Sequence, residues 1–147
     1  MSEQTAIEKS LSKQDYEELA EFRYLLRKFL RFSEEEAWAL GVTPQHHQAL
    51  LAIHGYPGRD FVTIGELAER LQIKHNAAVG LVDRLVTDNL AERRHTGNDR
   101  RQVHVTLTQH GTDLLLKLSA VHREELQRSG PELFRQLERL VNVHRYQ

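Results

Sequence analysis

Residues 63–94, TIGELAERLQIKHNAAVGLVDRLVTDNLAERR, decide the fold of this chain. Thr63 and Glu66 have the spacing of a capping box, in which a hydroxyl and a carboxylate satisfy the free amide groups at a helix start. The spacing therefore predicts a short helix over about 64–71.

A second helix begins after this one. The chain starts again at Lys74, and apolar residues recur there at helical spacing: Ala78, Leu81, Val82, Leu85 and Val86. Asn89 suits the left-handed backbone conformation that closes a helix. Two short helices separated by a few residues indicate a helix-turn-helix.

The period of the pattern then changes from helix to strand. Residues 90–94 and 101–107 read as two strands around the turn Thr96-Gly97-Asn98-Asp99. A helix-turn-helix followed directly by a hairpin is a winged helix-turn-helix, whose recognition helix enters the major groove of duplex DNA.

Helices flank this region on both sides. An apolar pattern predicts a long helix over about 14–40, and Thr43-Pro44 predicts the start of another over about 44–54. Phe61-Val62 is a candidate short strand. Thr108 is expected to cap a helix over about 109–128, which Gly130-Pro131 ends before a last helix that continues to the C-terminus.

We therefore predict a mainly α-helical fold with a small β-hairpin, a winged helix-turn-helix flanked by dimerisation helices. The chain is expected to be a single domain over 1–147, with the DNA-binding region at 41–107. The apolar surfaces of the helices at 13–40 and 108–147 are wider than one amphipathic face needs, so we expect them to pack against a second copy.

Charge is distributed unevenly along the chain. Residues 1–62 hold 7 Lys+Arg and 10 Asp+Glu, whereas residues 70–104 hold 7 Lys+Arg and 4 Asp+Glu, although the formal net charge of the whole chain is -1. A near-neutral total can thus contain a basic face, and the local field governs binding to a polyanion. Ordinary solvated surface charge is the alternative explanation of the count alone.

An ordered set of short motifs resembles the MarR family of transcriptional regulators: T63-I-G-E-L-A-E-R-L71, L81-V-D-R-L85, N89-L-A-E-R-R94, D99-R-R101 and V103-x-V-x-L-T108-x-x-G111. The resemblance implies a homodimer whose terminal helices interlock and whose winged helices read a pseudopalindromic operator in double-stranded DNA. It also implies a repressor whose DNA affinity a small molecule modulates, commonly an aromatic acid or a phenol. The residues of the effector site stay unknown.

The start of the recognition helix departs from the family pattern Ser-x-x-Thr-Val-Ser-Arg. Lys74 replaces the hydroxyl cap, while Ala77, Val79 and Gly80 replace the later hydroxyls and the arginine. Direct base reading is therefore expected to rest on fewer groups. The DNA contacts that we predict on this helix are Lys74, His75, Asn76, Ala77, Gly80 and Arg84.

Each of these residues has an assigned role and an alternative. Asn76 and His75 are the expected base readers, because Asn can form two hydrogen bonds with adenine; Asn76 can instead solvate the helix start. Lys74 and Arg84 are expected at phosphates, although Arg84 can pair with Asp88 one turn later. Gly80 either allows close approach of the DNA or costs the helix about 1 kcal/mol.

The wing supplies the second group of predicted DNA contacts: Arg94, Asn98, Asp99, Arg100 and Arg101. An arginine at the tip suits the negative potential of a narrow minor groove, and Arg101 is the first choice for it. Asp99 either orients Arg101 or only favours the turn. Arg93 and Arg94 fall on opposite faces of a strand, so at most one of them is expected to face the DNA.

Other classes of function find little support. The chain has no Cys, no metal-ligand spacing among its nine His, and no nucleophile, Walker or dinucleotide motif, so we expect neither a metal, a cofactor nor an enzyme. Without an apolar run of about 20 residues or a secretory signal, a cytoplasmic location and no membrane partner are expected. The alternative function is a protein-interaction module that uses a winged helix without specific DNA readout.

Overall fold

A computed structural model describes residues 3–5, 10–95 and 102–142 of the chain. Its elements, in order, are α1 Lys13–Ala39, α2 Pro44–His54, β1 Phe61–Val62, α3 Ile64–Leu71, α4 His75–Thr87, β2 Ala91–His95, β3 Val103–Leu107 and α5 Gln109–Asn142. The prediction of a mainly α-helical winged helix-turn-helix is confirmed.

The wing is a three-stranded antiparallel sheet in the order β1-β3-β2. Val62 of β1 lies opposite Val105 of β3, and both side chains are buried. The sequence predicted the hairpin of β2 and β3 and a candidate strand at Phe61-Val62, but it did not predict that this strand pairs with β3. The long-range pairing fixes the chain before the helix-turn-helix to the wing that follows it.

Two compact units make up the chain, one of residues 34–121 and the other of residues 1–33 together with 122–147. The domain boundaries that we derived from the sequence remain a prediction. Within residues 34–121, one hydrophobic core joins α2, α3, α4, the sheet and the first part of α5. Its largest fully buried side chains are Leu50, Ile53, Leu67, Leu81, Leu85, Leu118, Val62, Val82 and Val105.

In the other unit, the N-terminal part of α1 packs against the C-terminal part of α5. Ser33 is buried, and its Oγ lies 2.8 Å from Nε2 of His122. The edges of Phe29 and Phe32 meet the same imidazole ring. Further along, Nε2 of the buried Gln136 donates to the carbonyl oxygen of Glu18 at 3.0 Å. Buried polar contacts therefore fix the register of the two helices.

The predicted helix break at Gly130-Pro131 is wrong, because α5 runs without interruption from Gln109 to Asn142 with Pro131 inside it. Pro131 has no amide hydrogen for the carbonyl four residues earlier, and such an interior proline costs about 3 kcal/mol relative to alanine. Tertiary contacts stabilise the part of α5 beyond Pro131, and the hydrogen bond from Gln136 to Glu18 is one of them. Tertiary contacts therefore override the local signal.

Small differences occur at the ends of the strands. The wing strands begin at Ala91 and Val103, later than the predicted positions 90 and 101. Within the described ranges, no helix is long and apolar enough to cross a membrane.

Candidate nucleic-acid interface

The first helix of the helix-turn-helix, α3, begins with the predicted capping box. Thr63 Oγ1 accepts from the amide of Glu66 at 3.2 Å, and Oε1 of Glu66 accepts from the amide of Thr63 at 2.9 Å. The two bonds satisfy orphan amides at both ends of the motif. They fix where α3 starts relative to β1.

The turn into α4 is tight. Gln72 adopts a left-handed conformation with φ 54°, and its side chain donates to the carbonyl oxygen of Glu69 at 2.7 Å. The amide of Ile73 then returns to the carbonyl of Ala68 at 3.0 Å. These bonds end α3 and set the direction in which α4, the candidate recognition helix, begins. Asn89 has φ 57°, which confirms the left-handed residue predicted after α4.

Helix α4 has one buried and one exposed face. Its buried residues are Ala78, Leu81, Val82 and Leu85, the stripe that the sequence predicted. The side chains from Lys74 to Ala77 are exposed, as are Val79 and Arg84, while Gly80 is half-buried. The structure therefore places all six residues predicted as DNA contacts on this helix at its surface.

The first turn of α4 lacks an ordinary side-chain cap. Lys74 is the N-cap residue and makes no capping hydrogen bond. Oδ1 of Asn76 instead accepts from the amide of Ala77 at 3.0 Å. The carboxamide oxygen of Asn76 thus solvates the helix start, which is the alternative role that the sequence left open. Its amide nitrogen has no hydrogen-bond partner among the described residues.

Gly80 and Arg84 lie one turn apart on α4. A Cβ added at Gly80 would lie 3.6 Å from a terminal nitrogen of Arg84, which is an ordinary contact. Within the described part of the chain Arg84 forms no ion pair with Asp88, which lies instead 3.9 Å from Nδ1 of His46. The protein itself therefore does not require glycine at position 80, and Arg84 keeps its charge for another partner.

The arginines of β2 are both engaged. Arg93 pairs with Asp83 of α4, and Arg94 pairs with Glu92 at 2.7 Å. Arg93 lies opposite Val105 and Arg94 opposite His104, so the two arginines occupy opposite faces of the sheet, as the sequence predicted. The side chain of Arg94 is 63% exposed, against 32% for Arg93. Arg94 is therefore the more accessible of the two.

The tip of the wing falls between β2 and β3. Asn98, Asp99, Arg100 and Arg101 lie outside the residues that the structure describes. Their assignment to DNA binding stays a prediction from the sequence.

The C-terminal end of α4 meets a buried histidine. The side chain of His46 in α2 is 9% exposed and lies near Asp88 and Arg84. Burial lowers the pKa of His46 below its ordinary value of 6.5; the carboxylate of Asp88 partly opposes this shift, and the guanidinium of Arg84 adds to it. His46 is therefore held neutral near pH 7.

Metal binding has no candidate among the residues that the structure describes, since no three His, Asp or Glu side chains come together there in a geometry that could hold an ion.

Comparison with known proteins points to one family. A family model described as MarR family matches residues 40–102, which contain α2, the helix-turn-helix and the strands β1 and β2, but not β3. The HTH-type transcriptional repressor MdtR of Bacillus subtilis is 34% identical over 71 residues, which are 48% of this chain and 44% of that protein. Residues 40–102 of this chain are therefore similar to the MarR family. The match spans less than half of the length of MdtR.

Solved structures extend the likeness beyond the matched segment. AbsC, a MarR family transcriptional regulator from Streptomyces coelicolor, aligns with a TM-score of 0.71 at 19% identity, covering 93% of this chain and 98% of AbsC. A mutant MarR from E. coli, complexed with operator DNA, aligns with a TM-score of 0.63 at 26% identity, covering 82% and 88%.

Sequence reasoning missed one cluster of side chains. A set of stacked side chains lies beside the wing, which we call the wing-base stack: Arg70 and Arg59 pack on the ring of Tyr56, Arg59 also packs on the ring of Phe61, and the ring of His104 stacks on that of Phe61. No periodicity in the sequence indicates it, because its members come from a loop, two strands and a helix. The ion pair of Asp83 with Arg93 was missed for the same reason.

Proposed function

We propose that this chain is a sequence-specific, double-stranded DNA-binding transcriptional regulator, a repressor of the MarR type that acts as a homodimer on a pseudopalindromic operator. The observation that carries the proposal is the geometry of α4. One face is buried in the core, while the exposed first turn presents Lys74, His75 and Asn76 beside a three-stranded wing. This is the arrangement by which a recognition helix reads base edges in the major groove.

Charge on this surface supports contact with a polyanion. Lys74 and Arg84 form no ion pair with any other described residue, so both cations are available to phosphates. Asn76 and His75 are proposed to read bases, and Ala77 to meet a thymine methyl group. The operator-bound MarR of E. coli, which shares this fold, supports the same use of the surface. The repressor MdtR supports repression as the outcome.

Exposed apolar side chains support the homodimer. In the unit of residues 1–33 and 122–147, Tyr16 is 57%, Phe134 is 66% and Val141 is 63% exposed in the single chain. Large apolar side chains at a surface mark an interface when they lie together on one element, as Phe134, Leu137 and Val141 do on α5. A second copy that covers them would place two recognition helices on two half-sites.

Modulation of DNA affinity by a small molecule is the remaining part of the proposal. The unit of residues 1–33 and 122–147 contains a cavity of about 90 Å³, whose lining includes the apolar side chains of Leu25, Phe29 and Leu133 and several charged residues. It is smaller than the roughly 150 Å³ cavity that accommodates benzene in another protein. An aromatic acid or phenol would therefore bind elsewhere or enlarge it. A ligand screen for release of bound DNA tests this part.

Selection of bound duplexes from a random pool tests the function as a whole. We expect a pseudopalindromic consensus, bound about 10³-fold or more tightly than random DNA at the same salt concentration. The protein-interaction alternative predicts weak binding without a consensus, and that outcome would overturn the proposal. Asn76→Ala should relax the preference at one base pair of each half-site, and Arg101→Ala should weaken binding to A·T-rich flanks.

Sedimentation at micromolar concentration tests the dimer. We expect the mass of two chains for the unaltered protein. Phe134→Ser should weaken the dimer by at least about 2 kcal/mol if Phe134 is a central interface residue. Leu51→Ser, at an exposed apolar position of α2, is the matched control. A monomeric mass for the unaltered protein would refute the dimer.

A further inference from the structure

The wing-base stack is built around Arg59. The guanidinium carbon of Arg59 lies 4.3 Å from the centre of the Tyr56 ring and 4.7 Å from the centre of the Phe61 ring. On one side the series continues to Arg70, 4.9 Å from the Tyr56 ring, and on the other to His104, whose ring is stacked 4.3 Å from that of Phe61 at 20°. Planar guanidinium groups pack against aromatic faces in a way that an ammonium cannot.

Arg59 also pairs with Glu66. The same carboxylate accepts from the amide of Thr63 and so completes the cap of α3. Nε of Arg59 is buried without a hydrogen-bond partner in the described residues, so the two rings and Glu66 hold the side chain in place. Since the side chain is only 28% exposed, its guanidinium is committed to contacts inside the protein.

These contacts join the helix-turn-helix to the wing. Through Glu66, Arg59 reaches the start of α3, and through Tyr56 and Arg70 it is linked to the end of the same helix. Through Phe61 it is linked to β1 and to His104 of β3, the strand that lies in the centre of the wing sheet.

We propose that Arg59 is a positioning residue for DNA binding, which fixes the wing at the angle that lets the recognition helix and the wing bind one duplex at the same time. The inference rests on the proposed function. When two DNA contacts are held on one rigid body, formation of the first contact places the second at a high effective concentration near the DNA. The second contact then loses little further entropy on binding. A wing that moves relative to α4 loses that advantage even when every DNA-contacting side chain is present.

The test compares two duplexes that carry the selected operator. One extends past the operator on both sides, and the other ends before the flanking base pairs that a wing would reach. For the unaltered protein we expect the short duplex to bind about tenfold more weakly, equivalent to about 1.4 kcal/mol. For Arg59→Met we expect the difference between the duplexes to fall below about threefold, because the mobile wing contributes little. Lys117→Met, which removes an exposed cation from the same unit, should keep the full difference.

This comparison separates positioning from stability. A variant that is only less stable has a smaller active fraction, which weakens binding to both duplexes equally and leaves their ratio unchanged. An unchanged ratio for Arg59→Met would therefore overturn the inference. If the unaltered protein selects no operator, the proposed function fails instead; if it selects one but ignores the flanks, the inference fails.

Two further measurements complete the test. The dependence of affinity on salt should keep its slope in Arg59→Met, whereas a decrease of about 0.9 would mean that Arg59 itself contacts a phosphate and would overturn the inference. Arg59→Lys should restore only part of the ratio, because lysine can pair with Glu66 but cannot stack between two rings. If Arg59→Met does not fold, Phe61→Leu removes the aromatic link while keeping an apolar strand residue, and the same fall in the ratio is expected.

Discussion

At the scale of single residues, two glycines have different reasons to be glycine. Gly111, at the start of α5, lies against the carbonyl of Leu90, and a Cβ there would be 2.0 Å from that oxygen. Thr108 reinforces the same junction, since its amide donates to Leu90 at 3.1 Å and its hydroxyl to the carbonyl of Asn89 at 2.7 Å. Gly111, the last residue of the sequence motif that begins at Val103, is therefore required because the backbone at the start of α5 lies close to the backbone at Leu90.

Gly111→Ala should destabilise the protein by at least about 2 kcal/mol, because backbone rather than a flexible side chain must move. The free energy of unfolding, measured with urea, checks this. Gly65→Ala is the matched control, since a Cβ on Gly65 in α3 meets nothing within 4 Å. A destabilisation by Gly111→Ala no larger than that by the control would contradict the packing argument.

Gly80 differs because the protein leaves room for a side chain there. Gly80→Ala should raise the free energy of unfolding by about 0.5–1 kcal/mol through helix propensity. If Gly80 is kept for close approach to DNA, the same substitution should lower operator affinity about tenfold or more, because the added methyl group would weaken base contacts by an amount similar to a mismatched base pair. Urea unfolding and a binding titration on one preparation separate the two effects; equal or tighter binding would remove Gly80 from the interface.

At the scale of elements, α4 and β2 are joined by an ion pair that changes what their arginines can do. Arg93 is engaged by Asp83 across the two elements, whereas Arg84 has no such partner among the described residues. Two arginines that look equivalent in the sequence are thus expected to differ in their contribution to DNA binding.

Arg84→Ala should reduce the slope of log affinity against log salt by about 0.9 for each phosphate that the side chain neutralises in the unaltered protein. Arg93→Ala should change the slope less, because the charge of Arg93 is already compensated by Asp83. Titrations at several salt concentrations compare the two variants directly. A larger change of slope for Arg93→Ala than for Arg84→Ala would contradict this expectation and would indicate that the face of β2 that carries Arg93 contacts the DNA.

At the scale of the whole molecule, burial of the neutral His46 makes the free energy of unfolding depend on pH. Because burial lowers the pKa of His46 in the folded chain, the unfolded chain binds more protons as the pH falls below about 6.5. The stability contributed by the neutral imidazole is complete above that pH and decreases progressively toward the lowered pKa.

His46→Gln should therefore flatten the fall in stability between pH 7.5 and pH 5.5, although it lowers the stability at pH 7.5 because the imidazole no longer packs in the core. Urea unfolding of both proteins at the two pH values checks this prediction. His54→Gln, at an exposed position of the same helix, is the control that should keep the original pH dependence. An equal slope in all three proteins would show that His46 does not titrate with folding.

Much of this architecture could be predicted from local pattern. The capping box at Thr63, the buried stripe of α4 and the left-handed Asn89 were all predicted, because each depends on residues within a few positions of one another. The helix break at Pro131 was wrong for the complementary reason: a local cost of about 3 kcal/mol is outweighed by contacts that a local pattern does not contain.

In the candidate site, too, local features could be predicted from the sequence whereas long-range contacts could not. The sequence by itself determined which residues occupy the recognition helix and that its outer face is polar, since a period of 3.6 residues assigns each side chain to a face. Only the tertiary structure decided that Arg93 is paired while Arg84 has no ion-pair partner among the described residues, and that Arg59 connects the loop, α3 and the wing. Those contacts join residues that are far apart in the chain, and which of them meet depends on how the whole core packs.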